Sequence, residues 1–251
     1  MRTALVTGAG RNIGAAIARR LLERGDHRVV ATGRDADGVA SALGELATSP
    51  DLLIVAADLA VDEDIDRLCE QAEQWTPDGI DVLINNAVQR VTHSYDVHPI
   101  DEFRRVLEVS VVAPLRLMQR FVPGMAERGW GRVVNMGGLS AQTGTRGKVA
   151  GSAAKAAVAG MSRTIALEVA DRGVTVNTLS PGPIDTERGA WTSSGDVEQL
   201  TALYESRRQA VPVRRMGKVD EVVALCEYLI SDRAGFMTGQ DLSLNGGLLM
   251  R

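Results

Sequence analysis

Short β-rich runs alternate with longer stretches of helical periodicity along the 251-residue chain, and this alternation constrains the fold more than any other feature. Residues 4–6 read as a first strand, followed by a helix over 13–24 with apolar Ile13, Ala16, Ile17 and Leu21 on one face and Gly25 as its cap. The pattern then predicts a strand at 28–32, a helix at 36–47 ending near Pro50, and a strand at 52–56. A helix at 62–75, capped by Asp62, and a strand at 82–84 follow. Residues 100–127 fit one extended helix that Pro114 and Pro123 should bend or end early. The second half continues with a strand at 132–135, an Ala-rich helix at 148–171, a strand at 174–179, a helix at 219–231 and a strand at 241–244. The run 52–56 is almost continuously apolar, as a parallel strand covered on both faces must be. Repeated βα units of this kind build an α/β domain, a doubly wound parallel sheet with helices on both faces. No internal repeat, low-complexity tract or linker divides residues 1–251, so a single domain is expected. Residues 184–211 lack a strand pattern, follow a strand's carboxyl end and read as a lid over the ligand crevice.

Composition narrows the partners. A net charge of -4 argues against broad binding to nucleic acid or to an anionic membrane surface. No apolar run approaches the roughly 18 residues of a membrane span, and the opening residues read as a strand running into a turn rather than a signal peptide. Cys69 and Cys226 lie far apart, form no CxxC pair and read as small core residues in a reducing, cytoplasmic setting. No Cys/His spacing points to a metal site.

The segment from Thr7 to Gly14, TGAGRNIG, sits between the first strand and its helix. Glycines there let the backbone approach a pyrophosphate, and the helix N-terminus adds free N–H groups and partial positive charge. A glycine cluster alone is weak; one that leaves a strand and opens a helix at the head of a βα array is the Rossmann-type dinucleotide context. At the end of the second strand the chain has Thr32-Gly33-Arg34. Arg34 and Arg11 can converge on a 2′-phosphate, which favours NADP(H) over NAD(H), whereas Asp35 and Asp37 speak for the latter.

Nearly the whole chain resembles the short-chain dehydrogenase/reductase family. Gly8 to Gly14 matches its TGxxxGxG turn, with Asn12 in place of the middle glycine and Ile13 beside it. Asp58-Leu59 matches the acidic pair that contacts adenine, and Asn85-Asn86-Ala87 matches NNAG with Val88 in place of glycine. Pro181-Gly182-Pro183-Ile184-Asp185-Thr186 matches the segment around the nicotinamide, and Thr238-Gly239 and Asn245-Gly246-Gly247 match the C-terminal tail. The resemblance implies a cofactor site made by Gly8, Arg11, Asn12, Ile13, Gly14, Arg34, Asp58, Leu59, Asn86, Ala87, Lys155, Pro181, Gly182, Ile184 and Thr186. It also implies a homo-oligomer, a dimer or tetramer, formed through the long helices that begin near Ile100 and Lys148.

The catalytic group departs from the family. Members usually carry Asn, Ser, Tyr and Lys, in which the tyrosine transfers the proton, the serine polarises the carbonyl and the lysine holds the ribose and lowers the tyrosine pKa. Residues 131–138 match GRIVNISS and put Gly138 at the serine position; residues 150–155 keep Lys155 but put Gly151 at the tyrosine position; Ser110 stands at the asparagine position. Replacement groups are sought in Ser140, beyond Gly138, in His93, Tyr95 and His98 after strand four, and in Tyr204 of the lid. Ser152, His27 and Tyr228 read as structural. The sequence thus points to an NADPH-dependent reductase of atypical mechanism, passing hydride to an activated small molecule such as an imine or conjugated enone, a bulky cyclic metabolite among the candidates. A non-redox cyclase, isomerase or dehydratase, and a non-catalytic nucleotide-binding subunit, are the competing readings.

Overall fold

A computed structural model describes residues 1–186, 205–206 and 208–250. β1 (Arg2–Thr7) leads into α1 (Asn12–Arg24), β2 (His27–Gly33), α2 (Ala36–Leu43), β3 (Leu52–Ala56), α3 (Asp62–Trp75) and β4 (Val82–Asn85). Then come α4 (Ile100–Leu107), a π-helical turn (Glu108–Val112), α5 (Ala113–Glu127), β5 (Gly131–Met136), the short α6 (Ser140–Thr143), α7 (Val149–Val169), β6 (Val174–Pro181), α8 (Val219–Leu229) and β7 (Asp241–Leu244). The strands form one parallel sheet in the order β3-β2-β1-β4-β5-β6-β7.

Alternate residues of each strand feed two separate apolar layers. Leu5, Leu83 and Val133 pack toward Leu68 of α3, Leu117 and Phe121 of α5 and Ala166 of α7. Ala4, Val6 and Ile84 face the other way, onto Ile17 and Leu21 of α1, Leu43 of α2 and Leu229 of α8. The doubly wound expectation is therefore met. Strand order reverses between β1 and β4, and the crevice at their carboxyl ends is where such sheets bind ligands.

Several local expectations are corrected. Helix 36–47 closes at Leu43, because Gly44 takes φ 61 and the chain tightens into a 3₁₀ turn. Asp62 does not cap α3; Val61 occupies that position, and the Asp62 carboxylate pairs with Arg116 instead. Residues 100–127 do run on as helix, and neither proline ends it. Pro114 falls in the first turn of α5, where no N–H is needed, and Pro123 is carried through inside the helix by the buried Phe121, Val122, Met125 and Ala126 around it. The break comes at the π turn, where the Ala113 N–H reaches the Glu108 carbonyl. Gly25 caps α1 at φ 70, as expected. Most of the lid expectation, residues 187–204 and 207 with Tyr204 among them, lies outside the described residues.

Candidate active site

The β1–α1 turn is tightly built. Gly8 has φ 68, and a Cβ on it would come within 2.9 Å of the Ala87 Cα. A Cβ on Gly14 would stand 2.2 Å from the Gly8 carbonyl oxygen, so only glycine lets α1 begin this close to the turn. Asn12 adopts φ 50, a left-handed conformation that asparagine tolerates better than most residues, which accounts for it standing where the family pattern has glycine. The turn is tied to β4: the Asn86 amide donates to the Thr7 and Gly8 carbonyls at 2.9 and 3.2 Å, and the Thr7 hydroxyl accepts from the Asn86 and Ala87 N–H groups at 2.9 and 3.0 Å. Ile13 packs partly buried beside them. No side chain caps α1 and its first turn holds no acid, so its N-terminal N–H groups suit a phosphate. The cradle fits a dinucleotide pyrophosphate.

On the adenosine side, the Asp35 carboxylate accepts from the Asp37 and Gly38 N–H groups at 3.2 and 3.0 Å and caps α2. Arg34 and Arg11 are both exposed. A cavity of about 850 Å³ opens beside the turn, walled by Arg11 and Asn12 on α1, Gly38 and Ser41 on α2, and Asp185 and Thr186. The Asp58 carboxylate is engaged by the Ala60 N–H at 3.0 Å and by Arg105 at 2.5 Å, and Leu59 beside it is buried. Beyond β6, Pro181 leads to Gly182, whose backbone packs so closely on Asn245 that a Cβ would meet its Cα at 2.8 Å. Ile184 then bridges to Gly217, and Ile184 and Thr186 are both buried.

On the reaction side, the Lys155 ammonium donates to the Met136 carbonyl at the end of β5. Burial, with a smaller contribution from Arg90, brings its pKa down to about 8. Gly138 faces it: a Cβ there would lie 3.5 Å from Lys155 Cγ and 3.9 Å from Ser140 Oγ, both ordinary contacts. A Cβ on Gly151 would meet nothing within 4 Å. Position 151 therefore opens onto free space, and position 138 would admit a side chain in ordinary contact with Lys155 and Ser140. Ser140 is brought to this wall. Ser110 is buried in the π turn with its hydroxyl unpartnered, and makes no hydrogen bond to Lys155. Tyr95 is a correction: its ring is 83% exposed, because residues 95–97 form an outward 3₁₀ turn, so the structure does not bring it to the site. His93 pairs with Glu102 at 2.9 Å, and His98 bonds the Pro99 carbonyl. Sequence reading missed two elements here, the influence of Arg90 on Lys155 and a carboxylate, Asp241, behind Gly138. Arg90 follows the Asn85-Asn86-Ala87 motif and could have been flagged; Asp241 carries no local signal.

Fold and cradle define a dinucleotide-binding oxidoreductase scaffold with its lysine in place. Residues 8–249 match the family model for enoyl-(acyl carrier protein) reductase. Acetoacetyl-CoA reductase of Cupriavidus necator is 32% identical over 99% of this chain and 98% of its own length. The 3-oxoacyl-(acyl-carrier-protein) reductase FabG of Vibrio cholerae is 33% identical over the same shares. Among solved structures, a 3-oxoacyl-(acyl-carrier-protein) reductase from Agrobacterium tumefaciens with NADP bound superposes with a TM-score of 0.87 at 30% identity, covering 98% of this chain and 93% of that one. YwfH, an NADPH-dependent reductase involved in bacilysin biosynthesis, gives 0.90 at 27% identity, covering 100% and 99%. The chain belongs to the short-chain dehydrogenase/reductase family. Among the described residues, no helix is long and apolar enough to cross a membrane, and no cluster of metal-ligating side chains occurs.

Proposed function

We propose that this chain is an NADPH-dependent reductase whose acceptor is already activated for hydride, a protonated imine or a conjugated enone. The observation that carries this reading is the lack of a hydroxyl at Gly138 and Gly151, with free space at the latter, near Lys155 and an intact dinucleotide cradle. NADPH, when bound, supplies the hydride. The turn from Gly8 to Gly14 and the start of α1 would hold its pyrophosphate, Arg11 and Arg34 its 2′-phosphate, and Lys155 its nicotinamide ribose. A ketone needs its oxygen protonated as hydride arrives, which is the tyrosine's task in the family. An iminium carbon needs no such proton. An enone takes hydride at carbon, and the resulting enolate is protonated afterwards from water. The protein's part is then positioning and exclusion of water. Ser140 is the hydroxyl placed to bond the acceptor's heteroatom, and the two glycines leave room for a bulky or cyclic skeleton.

The test follows NADPH absorbance with purified protein and panels of ketones, cyclic imines and enones. Consumption with an imine or enone and none with simple ketones supports the reading. Product formation without NADPH consumption would instead establish a non-redox reaction on this fold.

We also propose that the chain works as a homo-oligomer. The outer face of α7 presents Ala153, Ala157, Gly160, Thr164 and Leu167 at helical spacing, and Leu167 is 84% exposed. Its two cysteines, both buried and unpaired, suit a reducing compartment such as the cytoplasm.

A further inference from the structure

The segment after β5 forms the wall that faces Lys155, and a single carboxylate holds it at two points. Ser180, near the end of β6, is fully buried. Its hydroxyl accepts from the Gly138 N–H at 3.1 Å and donates to Asp241 Oδ1 at 2.5 Å. The Gln142 side chain donates to the other oxygen, Oδ2, at 3.0 Å. Asp241 is the first residue of the edge strand β7, in register with Thr178 of β6. Residues 138 and 142 are thus pegged to one point on the sheet, and Ser140 lies between them. Close packing supports the arrangement: a Cβ on Gly137 would lie 2.3 Å from Ser180 Oγ, so only glycine lets β5 end against that hydroxyl. The Ser140 hydroxyl itself makes no hydrogen bond among the described residues. It stands 3.9 Å from where a Cβ at position 138 would be, and that point is 3.5 Å from Lys155 Cγ.

We propose that Asp241 is a positioning residue, which through Ser180 and Gln142 fixes the 138–142 segment so that Ser140 presents its hydroxyl to the acceptor where position 138 has none. The proposal rests on the reductase reading. A carboxylate fits the task because both of its partners donate, and an ionised carboxylate only accepts. Gly138 has no side chain of its own to anchor the segment. Asparagine at 241 would keep one acceptor for Ser180, and its amide could meet the buried, unpartnered Gln142 Oε1 if that amide turns over.

The experiment uses the full chain with an acceptor that the wild type reduces, and the variants Ser140→Ala, Asp241→Ala, Asp241→Asn and Gln142→Leu. Ser140→Ala is expected to lower kcat roughly a hundredfold, the scale of one lost hydrogen bond to the reacting group. Asp241→Ala and Gln142→Leu are expected to lower kcat at least about tenfold while the Kd for NADPH stays within about twofold, and Asp241→Asn to recover most of the loss. Adding Asp241→Ala to Ser140→Ala should cost nothing further, because the positioned group is already gone. Full additivity of the two, or wild-type kcat in both Asp241→Ala and Gln142→Leu, overturns the proposal. Gln142→Leu leaves β7 and Ser180 intact and serves if Asp241→Ala does not fold. Deuterium uptake over residues 137–144 gives a readout without turnover: it should speed up in Asp241→Ala and in Gln142→Leu, and unchanged uptake in both sinks the positioning claim. If the wild type oxidises no NADPH with any of the acceptors tried, the reductase reading fails on its own account, and deuterium uptake still decides whether Asp241 holds the segment.

Discussion

Replacing Gly14 by alanine tests the dinucleotide cradle at its tightest point. The new Cβ would stand 2.2 Å from the Gly8 carbonyl oxygen, 2.4 Å from Asn86 Nδ2 and 2.8 Å from the Gly8 carbonyl carbon. Real Cβ contacts do not fall below 3.0 Å, so the turn and the start of α1 must part by close to an ångström. Two of the three atoms are backbone and cannot rotate away. Overpacking of this kind costs about 1–3 kcal/mol. The displaced Asn86 amide also loses its bonds to Thr7 and Gly8, at about 1 kcal/mol each. The sum, roughly 3–5 kcal/mol, corresponds to a Tm lower by roughly 6–20 °C for a chain of this size. NADPH affinity should fall at least about tenfold, because every 1.4 kcal/mol of distortion felt by the bound state is a factor of ten in Kd. Gly10→Ala is the internal control: its Cβ would meet nothing nearer than Val39 Cγ2 at 3.7 Å. Thermal melts and a titration of NADPH fluorescence read both variants. The reasoning fails if Gly14→Ala melts within about 2 °C of the wild type and binds NADPH equally well, or if Gly10→Ala is as destabilising.

Three further outcomes follow from the same structure. Lys155 titrates near 8 when folded, against a usual 10.5 for the free side chain. Between those values the unfolded chain binds more protons, so stability should rise with pH from 8 toward 10.5, by at most about 3 kcal/mol. Urea midpoints across that range should therefore climb more steeply in the wild type than in Lys155→Met, and equal slopes would discard the shift. The variant Gly138→Ser with Gly151→Tyr should fold with an unchanged or higher Tm, since neither new Cβ meets a close contact, and should acquire NADPH-dependent reduction of simple ketones; a large drop in Tm would show that the space is not there. Ala157→Glu, which places a charge on the exposed face of α7, should reduce the mass measured by light scattering to a smaller assembly, and a monomeric wild type would refute the proposed oligomer.

The parts of this protein that were legible in the sequence are those written in local spacing. Gly8 and Gly14 are required by contacts made within or next to one turn, so their spacing survives as a readable signature. The absent hydroxyls were equally readable, because helical geometry ties position 151 to Lys155 one turn along the same helix. Pro123 misled because its effect depends on packing, and the apolar residues of α5 around it are buried in a core shared with other elements. Asp35 was ambiguous for a similar reason: an acid at the end of β2 can serve a ribose or a helix cap, and only the path of the chain into α2 shows that it caps.

Asp241 was beyond reach altogether, since the pairing of β6 with β7 brings it to a glutamine 99 residues away and no local pattern records such a meeting. That limit bears on the chemistry. Read along the chain, Gly138 and Gly151 look like losses from a family active site. In the folded molecule the wall around Gly138 is held by partly buried, charge-assisted hydrogen bonds, and Lys155 still reaches the end of β5. A pocket merely abandoned would have no use for a wall tied at two points around a hydroxyl that makes no hydrogen bond among the described residues. The bonds retained around Gly138 support the proposed change of acceptor over a lost activity.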